Sequence, residues 1–121
     1  MRKIKTLKKN YEFQNVLSKG KFYVGKQITI YISTNKLDEN VIGIAVSTKA
    51  CNAVKRNHIK RLIRESYQML EMQVKDGYTI VFTCKKNIDI KNIKYAEIQK
   101  DMTKILKRAN VLNSNFNKNE E

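Results

Sequence analysis

The chain is poor in several residue types that mark other classes of protein. Its 121 residues include no proline and no tryptophan, four glycines, two cysteines and one histidine. Because only 8% of the residues are aromatic, a broad platform that stacks many bases is not expected. Cys51 and Cys84 form neither a disulfide framework nor a Cys-x-x-Cys metal pair, so both are expected to be reduced apolar residues in a cytoplasmic protein. No apolar run approaches the roughly 18 residues of a membrane span, and no apolar signal core follows the basic N-terminus.

Positive charge is what the chain has in excess. Lysine and arginine number 25 against 11 acidic residues, and the net charge of +14 with a pI near 9.9 is typical of a nucleic-acid-binding domain. Acidic residues are absent from residues 40–64, where three of the five arginines (Arg56, Arg61 and Arg64) lie. The guanidinium group offers a planar fork of donors that suits phosphate oxygens. The pattern predicts a docking surface for a polyanion; a merely solvated, lysine-rich surface is the alternative.

The residues that a protein needs in order to cut a nucleic acid by itself are scarce. His58 is the only histidine, so a pair of histidines acting as general acid and base is impossible. The acidic residues are scattered along the chain and show no paired spacing on one predicted element, as a two-metal centre would require. We therefore predict no catalytic residue and no metal ligand in the protein. Mg²⁺ bound to phosphates at a nucleic-acid interface would take its ligands largely from the nucleic acid.

Hydrophobic periodicity predicts three helices and about four strands. The helices are expected over residues 11–19, 52–74 and 95–108, and the strands over residues 22–24, 27–33, 41–48 and 78–84. Asn10 is the expected cap of the first helix, and Gly20 is expected to end it. Residues 1–110 would form a single domain, and the Asn-rich residues 111–121 a disordered tail.

The order of these elements predicts an α+β fold. We expect a single-domain α/β sandwich with a sheet of about four strands, helices on one face, and the basic long helix in a β-α-β crossover. Alternation along the strands predicts the core face of the sheet, formed by Ile28, Ile30, Ile32, Ile42, Ile44 and Val46. The core stripe of the long helix is predicted at Ile59, Leu62, Ile63, Ser66, Tyr67 and Leu70. Its cations lie mostly off that stripe.

The opposite face of the sheet is predicted to be small and hydroxylic around one aromatic side chain. It would present Thr29, Tyr31, Ser33, Gly43, Ala45 and Ser47. One interpretation is a shallow cleft for an extended single strand of nucleic acid, in which Tyr31 stacks on a base or sugar and Phe13 and Leu17 form a wall. The other interpretation is an ordinary solvated face, with Phe13 and Leu17 packed into the core.

One run of residues resembles a known signature. The run Lys49-x-x-x-Ala53-Val54-x-Arg56-Asn57-x-x-Lys60-Arg61-x-x-Arg64-Glu65 is similar to the arginine-rich signature of the bacterial ribonuclease P protein component. The segments YEFQNVLSKG and GIAVSTKACNAV also resemble that family, and the likeness covers residues 3–110. Two positions depart from the pattern: His58 stands where the family often has a second arginine, and Cys51 where a glycine is common.

The resemblance implies a ribonucleoprotein endoribonuclease whose RNA subunit carries the catalytic site and removes the 5′ leader of precursor tRNA. It implies two partners, the catalytic RNA and precursor tRNA, with no membrane and no other protein. The basic helix would lie in a left-handed crossover, Mg²⁺ would be required by the ribonucleoprotein, and the protein alone would bind no cofactor. Contacts to the catalytic RNA are expected at Lys49, Arg56, Asn57, His58, Lys60, Arg61 and Arg64. Contacts to the single-stranded leader are expected at Phe13, Leu17, Tyr31 and Ser47.

Two other functions remain open at the level of sequence. A ribosomal-type or chaperone RNA-binding protein without a processing role would have the same composition. A DNA-binding protein could use residues 52–67 as a recognition helix, although a long helix between strands differs from a compact helix-turn-helix.

Overall fold

The structure is a computed structural model that describes residues 5–46, 53–84 and 93–113. Its strands are β1 (Lys5–Thr6), β2 (Lys21–Val24), β3 (Ile28–Thr34), β4 (Val41–Ala45) and β5 (Tyr78–Cys84). Its helices are α1 (Asn10–Lys19), α2 (Ala53–Leu70) and α3 (Tyr95–Arg108), and a short 3-10 helix, Glu71–Gln73, follows α2. The predicted bounds of β5 and α3 are confirmed.

The strands form one five-stranded sheet in the order β1-β4-β5-β3-β2. β4 and β5 are parallel neighbours joined through α2, which is the predicted β-α-β crossover; its left-handed sense remains a prediction of the family resemblance. β3 pairs antiparallel with both β5 and β2. The expected count of about four strands was one too low, because β1 has only two residues, both exposed, and therefore shows no alternation.

The core lies between one face of the sheet and the helices α2 and α3. Ile28, Ile30, Ile80 and Phe82 from the strands are fully buried there. The helices contribute Ile59, Ile63, Tyr67, Ile98, Met102, Ile105 and Leu106. The predicted core faces of β3 and α2 are thus confirmed, and Ile44 is only half-buried because it lies near the open edge of β4.

The helix α1 packs on the other face of the sheet, so the expectation of all helices on one face was wrong. A Cβ at Gly43 would lie 2.6 Å from Cε1 of Phe13, which places that ring directly on the backbone of β4. Val16 of α1 and Val81 of β5 are both buried. Part of the face predicted to be an open cleft is therefore filled, because α1 must bury its own apolar stripe somewhere.

The ends of several elements differ from the predicted ones. α1 begins at Asn10, and its first amides are capped by Glu12, whose Oε1 accepts the backbone N–H of Lys9 at 3.1 Å; Asn10 is thus not the cap. The strand β4 ends at Ala45 rather than at residue 48. The predicted long helix stops at Leu70 and continues only as the 3-10 turn.

The expected boundary of the tail also shifts. Val111 and Leu112 are buried, and Leu112 forms an isolated β-bridge with Val74. The backbone N–H of Lys75 donates to the carbonyl of Val111 at 2.7 Å, so the folded chain continues beyond residue 110. The rest of the predicted tail, residues 114–121, lies outside the described residues.

Candidate nucleic-acid interface

The helix α2 turns its predicted contact residues away from the core. The buried residues of α2 recur every three to four positions on its inner side, at Ile59, Leu62, Ile63, Ser66 and Tyr67, so the positions between these pairs point outward. Asn57, His58, Arg61 and Arg64 are exposed, and Arg56 and Lys60 are half-buried. Six of the seven predicted catalytic-RNA contacts therefore lie along one helix, outside its core stripe.

These cations are largely free of protein carboxylates. Within the described ranges, one ion pair involves them, between Nε of Arg61 and Oε1 of Glu65 at 4.0 Å, with both side chains more than half exposed. Such a solvent-exposed pair across one helical turn contributes little to stability. The positive surface of α2 is therefore available to an external polyanion.

Arg56 has an additional feature. Its Nε is shielded from solvent and has no hydrogen-bond acceptor in the part of the chain that the structure describes. Buried donors without acceptors are rare and call for a partner such as a water or an ion. The four N–H donors on the terminal nitrogens of this guanidinium can still bind a phosphate.

At the edge of β4, an open pocket is lined both by a residue predicted to contact the leader and by residues predicted to contact the catalytic RNA. β1 pairs only with Val41 and Ile42, so the outer edge of β4 beyond Ile42 has no strand beside it. A pocket of about 320 Å³ lies here, with Phe13 of α1 among its apolar lining and Lys60 and Arg64 of α2 beside it. A predicted leader contact and two predicted catalytic-RNA contacts thus line the same space.

On the face of the sheet that carries α1, the part over β2 and β3 remains open. Tyr31 is half-buried and lies directly opposite Phe22 on β2, with the two ring centroids 5.8 Å apart. Phe22 is 62% exposed, and Leu17 on α1 is half-buried. The sequence did not predict Phe22 as a leader contact, because β2 has only four residues and its alternation is too short to show which face each residue occupies. The pairing of Phe22 with Tyr31 across the two strands identifies it.

Some predicted residues cannot be placed. Lys49, Ser47 and Cys51 lie outside the described residues. Within the described ranges, no group of three or more His, Cys, Asp and Glu side chains could hold a metal ion. No described helix combines the length and apolar character needed to cross a bilayer.

Comparisons with known proteins identify the family. A model of the ribonuclease P family, described as "Ribonuclease P", matches residues 1–110. The chain is 36% identical over 108 residues to the ribonuclease P protein component of Clostridium botulinum (strain Loch Maree / Type A3), covering 88% of this chain and 96% of that protein. It is 37% identical over 109 residues to the corresponding protein of Fusobacterium nucleatum, covering 88% and 98%. The chain belongs to the ribonuclease P protein family.

Solved structures agree with this assignment. The ribonuclease P protein of Staphylococcus aureus, solved at 2.0 Å, superposes with a TM-score of 0.79 at 34% identity and covers 92% of this chain and 100% of its own. The Thermotoga maritima protein, at 23% identity, has a TM-score of 0.78 over 88% of this chain and 97% of its own, and that likeness supports the fold.

Membership in the ribonuclease P protein family establishes the general role. The chain is the protein subunit of an endoribonuclease that matures the 5′ end of tRNA, and the RNA subunit carries the catalysis. Its family partner is ribonuclease P RNA. Ribonuclease P holoenzymes generally use Mg²⁺, and the described side chains of this protein offer no cluster that fits such an ion.

Proposed function

We propose that α2 binds the catalytic RNA, while the open part of the sheet face beside α1 holds the single-stranded 5′ leader of precursor tRNA. The observation that carries the proposal is the row of cations on α2, which has one weak internal ion pair among the described residues. An RNA phosphate is the partner that matches this surface in charge and in donor geometry. Lys49 would extend the same contact from the segment before α2.

The leader surface consists of Phe13, Leu17 and Tyr31, to which the geometry adds Phe22. Aromatic and apolar side chains on an open sheet can stack on unpaired bases without reading their sequence. Such tolerance suits leaders that differ from one precursor to another. Ser47, which lies outside the described residues, would contribute a hydroxyl group.

This division of surfaces explains how the protein assists a reaction that the RNA subunit catalyses. The leader is present in the precursor and absent from the product, so contacts to it favour substrate over product. A difference of about 1–2 kcal/mol corresponds to a preference of roughly five- to thirtyfold. The protein residues bind and orient the strand, and the Mg²⁺ ligands come from RNA. We also propose a cytoplasmic location, where precursor tRNA is processed.

Reconstitution tests the proposal. The purified protein is mixed with a bacterial ribonuclease P RNA and a precursor tRNA at a low Mg²⁺ concentration at which the RNA alone is slow. We expect the intact leader to be released faster with the protein than without it, and no cleavage by the protein alone. Absence of stimulation, or cleavage that persists without the RNA, contradicts the proposal.

The alternative of a ribosomal-type or chaperone RNA-binding protein is not favoured, because the family match covers most of the chain. The same reconstitution separates the two functions. A chaperone would accelerate the folding of unrelated RNAs and leave the rate of leader release unchanged. A DNA-binding role is likewise not favoured, and competition with duplex DNA tests it directly.

A further inference from the structure

A second group of cations lies at the opposite edge of the sheet from the pocket beside β4. On α3, Lys100, Lys104 and Arg108 follow one another at four-residue intervals, and Lys26 faces them from the turn between β2 and β3. These four side chains line a groove of about 620 Å³ between α3 and the end of the β2–β3 hairpin. None of the residues assigned above to catalytic-RNA or leader binding belongs to this group, which we name the α3 groove.

The α3 groove is built on a rigid support. The carboxylate of Asp101 accepts the backbone N–H groups of Lys26 at 2.9 Å, Gln27 at 2.8 Å and Ile28 at 3.0 Å. This side chain is 7% exposed and belongs to α3, so it ties the hairpin turn to the helix. Three hydrogen bonds therefore join the two walls of the groove.

Among the described residues, the charges of the α3 groove have no ion-pair partner. No carboxylate of the described residues forms an ion pair with Lys26, Lys100 or Lys104. The two acidic side chains in the lining are Asp101, whose oxygens are occupied by the three amides, and Glu97 at the N-terminal end of α3. Four cations against two carboxylates leave a net positive groove.

Arg108 is held in position to bind an anion. One terminal nitrogen donates to the carbonyl of Val24 at 3.3 Å, and the guanidinium lies over the ring of Tyr23 at 5.8 Å. A guanidinium has five N–H donors, so several remain for a phosphate. Along α3 the four-residue interval corresponds to a rise of about 6 Å, which is comparable to the spacing of successive phosphates along a strand.

The α3 groove is continuous with the proposed leader surface. β2 is the last strand of the sheet, and its residues alternate between the two faces: Phe22 points to the leader face, and Tyr23 lies under Arg108 on the core side. Val24 is 48% exposed and pairs with Thr29 on the leader face, and it also lines the α3 groove, so it connects the two surfaces. A strand that crosses the leader face from Lys60 and Arg64 therefore reaches the α3 groove by passing over the edge at β2.

We propose that the α3 groove binds the phosphates of the distal part of the leader, the nucleotides furthest from the cleavage site. The inference rests on the proposed leader surface and extends it around the edge of the sheet. The aromatic residues of the leader face would contact the bases of the leader. The ring next to the groove, Tyr23, is covered by Arg108 and cannot stack on a base, so the groove would contact the sugar-phosphate backbone. A long leader would occupy both surfaces, whereas a short leader would occupy only the face.

Leader length is the variable that tests this inference. The reconstituted holoenzyme is titrated with two precursors that differ only in their leaders, of about 4 and about 16 nucleotides, which span the site sizes of OB-fold proteins that bind single strands. The variant is Lys100→Gln/Lys104→Gln. Glutamine keeps the helix propensity of lysine while removing the charge, so α3 is expected to fold normally, and a thermal melt checks this.

We expect the double variant to lose about tenfold in affinity for the long-leader precursor at physiological salt, with the log–log salt slope reduced by about 1.4. Affinity for the short-leader precursor should remain unchanged. Lys104→Gln alone should show about half of the slope change, and Lys36→Gln, an exposed lysine at the other end of β3, should show none.

Three results would overturn the inference. The first is an unchanged ratio of long-leader to short-leader affinity in the double variant. The second is an equal loss of affinity for both precursors. The third is weaker binding of the double variant to the catalytic RNA in the absence of substrate. Either of these two results would assign the groove to an RNA segment other than the leader. Failure of the broader proposed function looks different, because wild-type protein would then show no stimulation of leader release at all.

Discussion

Gly25 and Asp101 fit together so closely that any side chain at residue 25 would collide with the carboxylate of Asp101. An added Cβ would overlap both carboxylate oxygens and Cγ of Asp101. The missing side chain lets the hairpin turn approach the carboxylate, which then accepts three consecutive backbone amides. One residue of α3 thereby determines where the β2–β3 hairpin lies.

Asp101→Asn should lower the free energy of unfolding by about 2–4 kcal/mol. The amide group of asparagine offers one acceptor oxygen and places N–H donors beside backbone N–H groups, so buried amides lose their partner. Urea unfolding measures the effect. Glu97→Gln, one turn earlier and exposed, is the control and should change stability by less than about 0.5 kcal/mol. Equal stability of wild type and Asp101→Asn would show that the three hydrogen bonds to Asp101 do not stabilise the hairpin.

Arg61→Ala should weaken assembly with ribonuclease P RNA and reduce the log–log salt slope by about 0.7 to 0.9, the value of one phosphate contact. Stability should hardly change, because Arg61 is exposed and its pair with Glu65 is long. Glu65→Ala removes the other member of the pair and should leave assembly as strong or slightly stronger. A filter-binding titration at several salt concentrations distinguishes the two variants; identical slopes for Arg61→Ala and wild type would exclude the contact.

Tyr31→Ala and Phe22→Ala should each reduce the preference for precursor over mature tRNA by about five- to tenfold, the lower end of the roughly 1–3 kcal/mol that stacking of one base contributes. Assembly with the catalytic RNA should be unaffected. Met72→Ala removes another large exposed apolar side chain, 69% exposed and far from this face in the chain, and serves as the control. If the precursor-to-product affinity ratio stays constant in both aromatic variants, the Phe22–Tyr31 pair is structural only.

Gly43→Ala should destabilise the protein by about 1–3 kcal/mol, because the new methyl group would collide with the ring of Phe13 and with Leu7. Phe13→Ala removes the ring and should make the same change at residue 43 much less costly. A double-mutant cycle by urea unfolding measures this coupling. Additive effects of the two substitutions would show that α1 does not rest on β4 as described.

Local patterns predicted the regular elements where the pattern was long. β5 and α3 have the predicted bounds, because a run of strand-forming residues after the Asp76-Gly77 turn and fourteen residues of helical period leave little ambiguity. The cations of α2 were also predicted, since their position off the core stripe follows from 100° per residue. Short elements gave no such signal, and β1 was missed for that reason.

Contacts between distant residues were beyond the reach of these patterns. Periodicity indicates that α1 has an apolar side, but it does not say which face of the sheet covers that side. Nothing near Asp101 in the sequence indicates that it binds amides more than seventy residues away. Val111 and Leu112 looked like the start of a tail because two apolar residues in an Asn-rich context show no period, yet they complete the core.

The sequence alone determined the charge, the order of most helices and strands, and the arginine-rich run that identified the family, because each of these is a property of neighbouring residues. Only the tertiary structure decided that Phe13 lines the same pocket as Lys60 and Arg64 at one edge of the sheet. It also decided that four further cations lie together at the other edge. Those groupings depend on the order in which strands pair and on which face each helix covers. Both are set by the packing of the whole chain, since residues far apart in sequence must bury their apolar surfaces together.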